Sequence, residues 1–155
     1  MLLLLTIPAC GSNDASLEKF DSYNLKKCDS NCVGEEAEHI DPRDRASFLL
    51  VIRDGKFYDS QDSLVDSSGI YVMSGSGEIY YEALLTGQDR SFFHSRFLGG
   101  RAVAGAGWMV FKQGVIQLID NASGHYKPDA TFLFQVVREL ALQGADLSQM
   151  EVRVH

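Results

Sequence analysis

Between residues 48 and 119 the sequence runs three times from an apolar, β-rich segment through a tight turn into a second such segment. Phe48-Leu49-Leu50-Val51-Ile52 stops at Asp54-Gly55, and Lys56-Phe57-Tyr58 returns. Ile70-Tyr71-Val72-Met73 passes through Ser74-Gly75-Ser76-Gly77 to Glu78-Ile79-Tyr80-Tyr81. Ala102 to Phe111 turns at Gln113-Gly114 and comes back through Val115-Ile116-Gln117-Leu118-Ile119. Loops this short join only antiparallel neighbours, because a parallel connection needs a long crossover. Asp-Gly can supply the positive φ values that a tight hairpin demands. A sheet built of hairpins is therefore the frame into which everything else must fit.

After Asn121 the apolar period changes from two to about four. Phe132, Val136 and Leu140 recur along one face, Leu133 and Val137 widen the stripe, Pro128 suits a helix entrance and Gly144 a left-handed cap. Met150-Glu151-Val152-Arg153-Val154 then alternates as a half-exposed strand does. The fold class is α+β: a mainly antiparallel twisted sheet of hairpins, one C-terminal amphipathic helix packed across it, and a final strand. The small residues Ala102 to Gly107 are poor strand formers, and such a run marks the close approach of another backbone, a helix or a ligand.

At 155 residues the chain is the size of one domain, expected over residues 46–155. Residues 11–45 read as a polar tether and lead-in, with Glu35, Glu36, Glu38, Asp41 and Asp44 crowded near Pro42. The formal charge of −7 disfavours nucleic acid as a partner. Residues 1–10 are apolar but too short to span a bilayer. Ile7-Pro8-Ala9-Cys10 looks like the end of a bacterial export signal with a lipidated Cys10, and a buried N-terminal strand is the alternative. That leaves Cys28 and Cys32 as an even pair, suited to a short disulfide loop or to half of a zinc site that no second ligand pair completes. The expected location is accordingly the bacterial cell envelope, lipid-anchored, or the secreted fraction, with the membrane met only through the lipid.

Two histidine segments stand out, Ser91-Phe92-Phe93-His94-Ser95-Arg96-Phe97-Leu98-Gly99-Gly100 and Asn121-Ala122-Ser123-Gly124-His125-Tyr126-Lys127-Pro128. The first is placed where a strand meets a loop, the second between a strand end and the helix. The hairpin at Gln113-Gly114 returns the chain toward its starting end, which brings the two segments together. His94, His125, Ser95 and Ser123 are the candidate catalytic residues, since imidazole and hydroxyl groups serve acid–base and nucleophilic chemistry. Gly99, Gly100, Asp120, Tyr126 and Lys127 are the candidate binding residues. The bland alternative gives each imidazole a loop carbonyl, Ser123 and Asp120 capping or turn duties, and Tyr126 a packing role. No metal set is complete, no cofactor is indicated, and the nucleophile-elbow, HExxH, Walker A and GxGxxG patterns are missing.

The run HSRFLGGRAVAGAGWMVFKQGVIQLIDNASGHYKPDATFLFQVVRELALQGADL resembles the C-terminal module of plant IQ-motif calmodulin-binding proteins. His94, Ser95, Phe97, Leu98, Gly99 and Gly100 fit that family's H-S-S-F-L-x-G-G segment, with Arg96 in place of a small polar residue. Gly107 falls in its A-G region, followed here by Trp108. Ser123, Gly124, His125, Tyr126 and Pro128 fit its S-G-H-Y-x-P segment. Similar modules occur in bacterial secreted proteins of toxin-like organisation. No basic amphipathic IQ-type helix precedes the domain, so calmodulin binding is not implied. The resemblance supports the site residues and names no reaction. The expected function is an exported, lipid-anchored domain handling a small ligand or protein, of the hydrolase or transferase kind, using His94 and His125. The alternative is a non-catalytic surface binding or interaction module.

Overall fold

A computed structural model describes residues 23–29, 39–84 and 92–155. Its elements are β1 (Val51–Arg53), β2 (Lys56–Tyr58), β3 (Ser68–Met73), β4 (Ile79–Ala83), α1 (His94–Phe97), β5 (Gly105–Lys112), β6 (Val115–Asp120), α2 (Ala130–Leu142) and β7 (Glu151–Arg153). β1 and β2 form a small hairpin, and the main sheet has the order β4-β3-β5-β6-β7. The first four strands pair antiparallel, and all three hairpins form at the turns the sequence marks. Asp54 and Gly55 have φ of 50° and 78°, and Gln113 and Gly114 have 48° and 77°, the doubly left-handed geometry of the tightest hairpin turns.

Strand β3 is buried along almost its whole length, which its side-chain alternation explains. Tyr71 and Met73 point into one core with Met109, Leu133, Val136 and Leu140, under α2. Ile70 and Val72 point into a second core with Phe97, Val103, Ala106 and Tyr126. The sheet is thus covered on both faces, by α2 on one and by α1 and its flanking loops on the other. Burying one aliphatic or aromatic side chain of this kind is worth about 2 kcal/mol.

The α+β architecture stands as expected, with three local departures. Phe48 does not start the first strand: Arg45–Phe48 form a turn of 3-10 helix. Phe48 packs instead with Phe92 and Phe97, ring centroids 5.8 Å away in each case, and this draws the chain off the sheet. His94 sits in the single turn of α1 rather than where a strand meets a loop. That turn closes through Gly100 N to Ser95 O at 2.8 Å, with Gly99 and Gly100 at φ of 63° and 73°. Last, β7 pairs parallel to β6. The helix between them is the crossover that makes parallel pairing possible.

Helix α2 is capped by Asp129, whose side chain accepts from Thr131 N at 2.8 Å. It ends in a Schellman arrangement, with Gly144 N bonded to Ala141 O, Ala145 N to Leu140 O, and Gly144 at φ 85°. The small-residue run has a mechanical cause. A Cβ on Gly105 would lie 2.2 Å from Val136 Cγ2, and one on Gly107 would lie 2.0 Å from Asp120 O. Helix and neighbouring strand come that close. Residues 23–29, read from the sequence as lead-in, lie across the domain: Lys26 pairs with Val103 in both directions, and Asn24 N donates to Gln135 Oε1.

Candidate functional site

The two histidine segments meet. Ser95 Oγ and His125 Nδ1 share a hydrogen bond of 2.9 Å. A second tie runs the other way, from Tyr126 Oη to Arg101 O at 2.7 Å. Phe97 and Leu98 are buried and anchor the first segment, while buried Pro128 and half-buried Phe132 hold the second. Tyr126 is fully buried, and burial pushes its phenol up to about 12, so it is a donor and not an acid.

His94 faces inward. Its Nε2 lies 2.9 Å from Gly107 O, and because a carbonyl can only accept, Nε2 carries the proton. Burial lowers its pKa to about 4, against the smaller opposing effects of the Gly107 hydrogen bond and of Asp120. The ring is neutral at ordinary pH and braces α1 against β5. His125 is half-buried, and its ring stacks with Phe93 at 5.1 Å between centroids. Its main-chain carbonyl accepts from Asp29 N at 2.9 Å.

The remaining candidates serve the loop. Asp120 Oδ1 accepts from Trp108 N at 2.8 Å and Ala122 N at 2.9 Å, and Oδ2 lies 3.3 Å from His155 Nε2. Its main-chain oxygen accepts from the buried Tyr71 hydroxyl. Ser123 accepts from Tyr126 N through Oγ and from Lys127 N through its carbonyl. Asn121 ties the loop to Pro128 O and to His155 N, at 2.8 Å each. Lys127 is exposed at φ 44°, and a Cβ on Gly124 would meet nothing within 4 Å, so the outer rim of this loop is open. Gly99 and Gly100 shape the end of α1.

Sequence reasoning included Phe93 in the first segment without giving it a role, passed over Arg101 just after it, and missed the Gly107 carbonyl, which no side-chain pattern could reveal. Cys28 is disulfide-bonded, while Cys10 and Cys32 lie outside the described residues. Among the described residues no group of three or more His, Cys, Asp or Glu side chains is placed to hold a metal ion. Among them, too, no helix is long and apolar enough to cross a membrane.

The chain is 32% identical over 111 residues to the IQ domain-containing protein IQM5 of Arabidopsis thaliana, covering 68% of this chain and 22% of that protein. It is 28% identical over 143 residues to IQ domain-containing protein IQM4 of the same plant, covering 89% of this chain and 25% of that protein. Against IQ domain-containing protein IQM1, also from Arabidopsis thaliana, identity is 27% over 143 residues, with 89% and 27% covered. The chain therefore spans about a quarter of the length of these relatives. No solved structure matches it.

These relatives correct three expectations. Plant IQ domain proteins, and not bacterial lipoproteins, are what the chain resembles, so the bacterial, lipid-anchored and secreted description is withdrawn. The envelope location falls with it. The hydrolase or transferase assignment also falls, since neither the relatives nor the family carries it, and the inward-facing, neutral His94 agrees with that outcome. The model of the IQ motif-containing protein middle domain matches residues 44–132, more than half of the chain, and the chain belongs to that family.

Proposed function

We propose that the chain is a non-catalytic interaction module in which the two histidine motifs form a structural clasp and present Phe93, His125 and Lys127 to a protein partner. The observation that carries this reading is the burial of Ser95: the hydroxyl that shares a 2.9 Å hydrogen bond with His125 is itself enclosed, so the pair joins the two loops instead of facing a substrate. His94 and Ser95 are then positioning residues, and Asp120, Ser123 and Tyr126 hold the loop. What faces outward is an aromatic edge and a cation: Phe93 is 39% exposed and stacked on His125, and Lys127 is exposed. Lys127 holds a left-handed backbone, which costs a non-glycine residue about 1 kcal/mol and persists where the surrounding structure enforces it. Residues 46–155 act as one domain in this reading, with residues 23–29 strapped across it.

The calmodulin reading, set aside above on the missing IQ-type helix, returns here through the family, whose IQ-motif description makes a calmodulin-type protein the finer candidate for the partner. The decisive experiment titrates purified calmodulin, with and without calcium, into the isotope-labelled full chain. Saturable shifts are expected to cluster at Phe93, His125 and Lys127 and to vanish in Phe93→Ser. Shifts confined to α2, or none in either calcium state, would rule out this partner at this surface.

A further inference from the structure

The segment entering β1 holds a guanidinium whose Nε the fold leaves without a hydrogen bond. Arg45 Nε is enclosed and has no hydrogen-bond partner, while the residue as a whole remains half-buried. Withdrawing a charged donor from water without an acceptor is costly, and buried polar atoms are nearly always satisfied by protein, water or a bound ion. Among the described residues, Asp41 and Glu78 have other hydrogen-bond partners, although Asp41 also feels the Arg45 charge. Asp41 takes Arg43 through both carboxylate oxygens, at 3.1 and 2.8 Å. Glu78 Oε2 accepts from Ser74, Ser76 and Tyr80 at 3.2 Å each.

Backbone bonds bring other groups to the same place. Ile40 N donates to Arg96 O at 3.1 Å and fixes residues 39–40 against α1, while Leu50 N to Ile79 O at 2.9 Å fixes the chain on the far side of Arg45. Arg45 Nη2 and His39 Nδ1 consequently lie 3.7 and 3.8 Å from where a Cβ on Gly99 would sit. Gly99 and Gly100 are both left-handed, and exposed Arg101 follows them. The guanidiniums of Arg45 and Arg101 both act on the Tyr80 phenol, opposing the upward shift that burial and Glu78 impose.

We propose that Arg45, together with Arg101 beside the Gly99-Gly100 turn, binds an oxyanion, either a phosphate or a carboxylate. Arginine's planar fork suits both, and Gly99, without a Cβ, leaves room for an anion beside Arg45, while Gly100 N and Arg101 N stay bonded to Ser95 O and Leu98 O. The site is independent of the interaction reading and stands if that reading fails.

The test titrates inorganic phosphate, and separately acetate, into the isotope-labelled full chain at constant ionic strength held with sodium chloride. Saturable shifts are expected at the Gly99, Gly100 and Arg101 amides. Arg45→Gln should raise the apparent Kd by about tenfold or more, and Arg45→Lys, which keeps the charge and loses the fork, by less. Arg53→Gln, which removes the partner of Asp62, should leave it unchanged. A response to phosphate alone identifies phosphate, and an equal or stronger response to acetate identifies a carboxylate. No saturable shift at these amides with either anion overturns the proposal, as does an undiminished response in Arg45→Gln. Should Arg45→Gln fail to fold, an undiminished response in Arg45→Lys overturns it equally.

Discussion

With its ring enclosed and Nε2 donating to Gly107 O, His94 enters the folded state as a neutral imidazole. In the unfolded chain the same ring titrates at about 6.5, whereas in the fold burial holds it down at about 4. Between those values the unfolded state binds the extra proton, so stability is complete above pH 6.5 and is lost as the pH falls toward 4. Over the step from pH 7.5 to pH 5 the loss attributable to His94 is about 2 kcal/mol. Urea unfolding at the two pH values should show it, and His94→Gln should flatten the dependence over that interval. An unchanged pH dependence in the variant would mean that His94 is not held neutral. At this scale the sequence marked two segments that meet through the Ser95–His125 hydrogen bond, and it left the duty of their side chains open. Histidine, serine and tyrosine near paired glycines read alike whether they face a ligand or a carbonyl, and only burial separates the two. Arg45 escaped notice because an arginine is conspicuous only when its surroundings leave its Nε without a hydrogen bond.

Elements were legible where local chemistry dictates them. The turns at Asp54-Gly55 and Gln113-Gly114 and the stripe from Leu133 to Leu140 each follow from backbone sterics or periodicity, and all appear as expected. Elements fixed by distant contacts were not legible. The turn at Arg45–Phe48 depends on Phe48 meeting Phe92 and Phe97, and the direction of β7 depends on where α2 crosses. The Ala102–Gly107 run lay between these cases, its meaning left open until Gly105 was seen against Val136. Gly105→Ala must push the helix away, at a cost of about 2 kcal/mol. Trimming the opposing side chain relieves the clash, so Gly105→Ala combined with Val136→Ala should be less destabilised than the two single changes added together. Strict additivity in chemical denaturation would show that the close approach of α2 to β5 is not what demands glycine.

Taken whole, the molecule is a sheet between two cores with cross-links around its margin. Residues 23–29 reach both layers: the Tyr23 hydroxyl bonds Glu139 on α2, Lys26 pairs with Val103, and Asp29 N donates to the His125 carbonyl. Cys28, disulfide-bonded, packs against the second core. The clasp performs the same task between motifs 30 residues apart in sequence, and it leaves Phe93 and Lys127 as the outward features. A double-mutant cycle with Ser95→Ala and His125→Ala, read as unfolding free energy, tests this account most directly. Each single change should cost about 1–2 kcal/mol, and the double mutant should fall short of their sum by about 1 kcal/mol, because either change alone already breaks the shared bond. Single mutants as stable as the parent, with a coupling of zero, would show that the pair does not hold the two motifs together and would contradict the structural clasp.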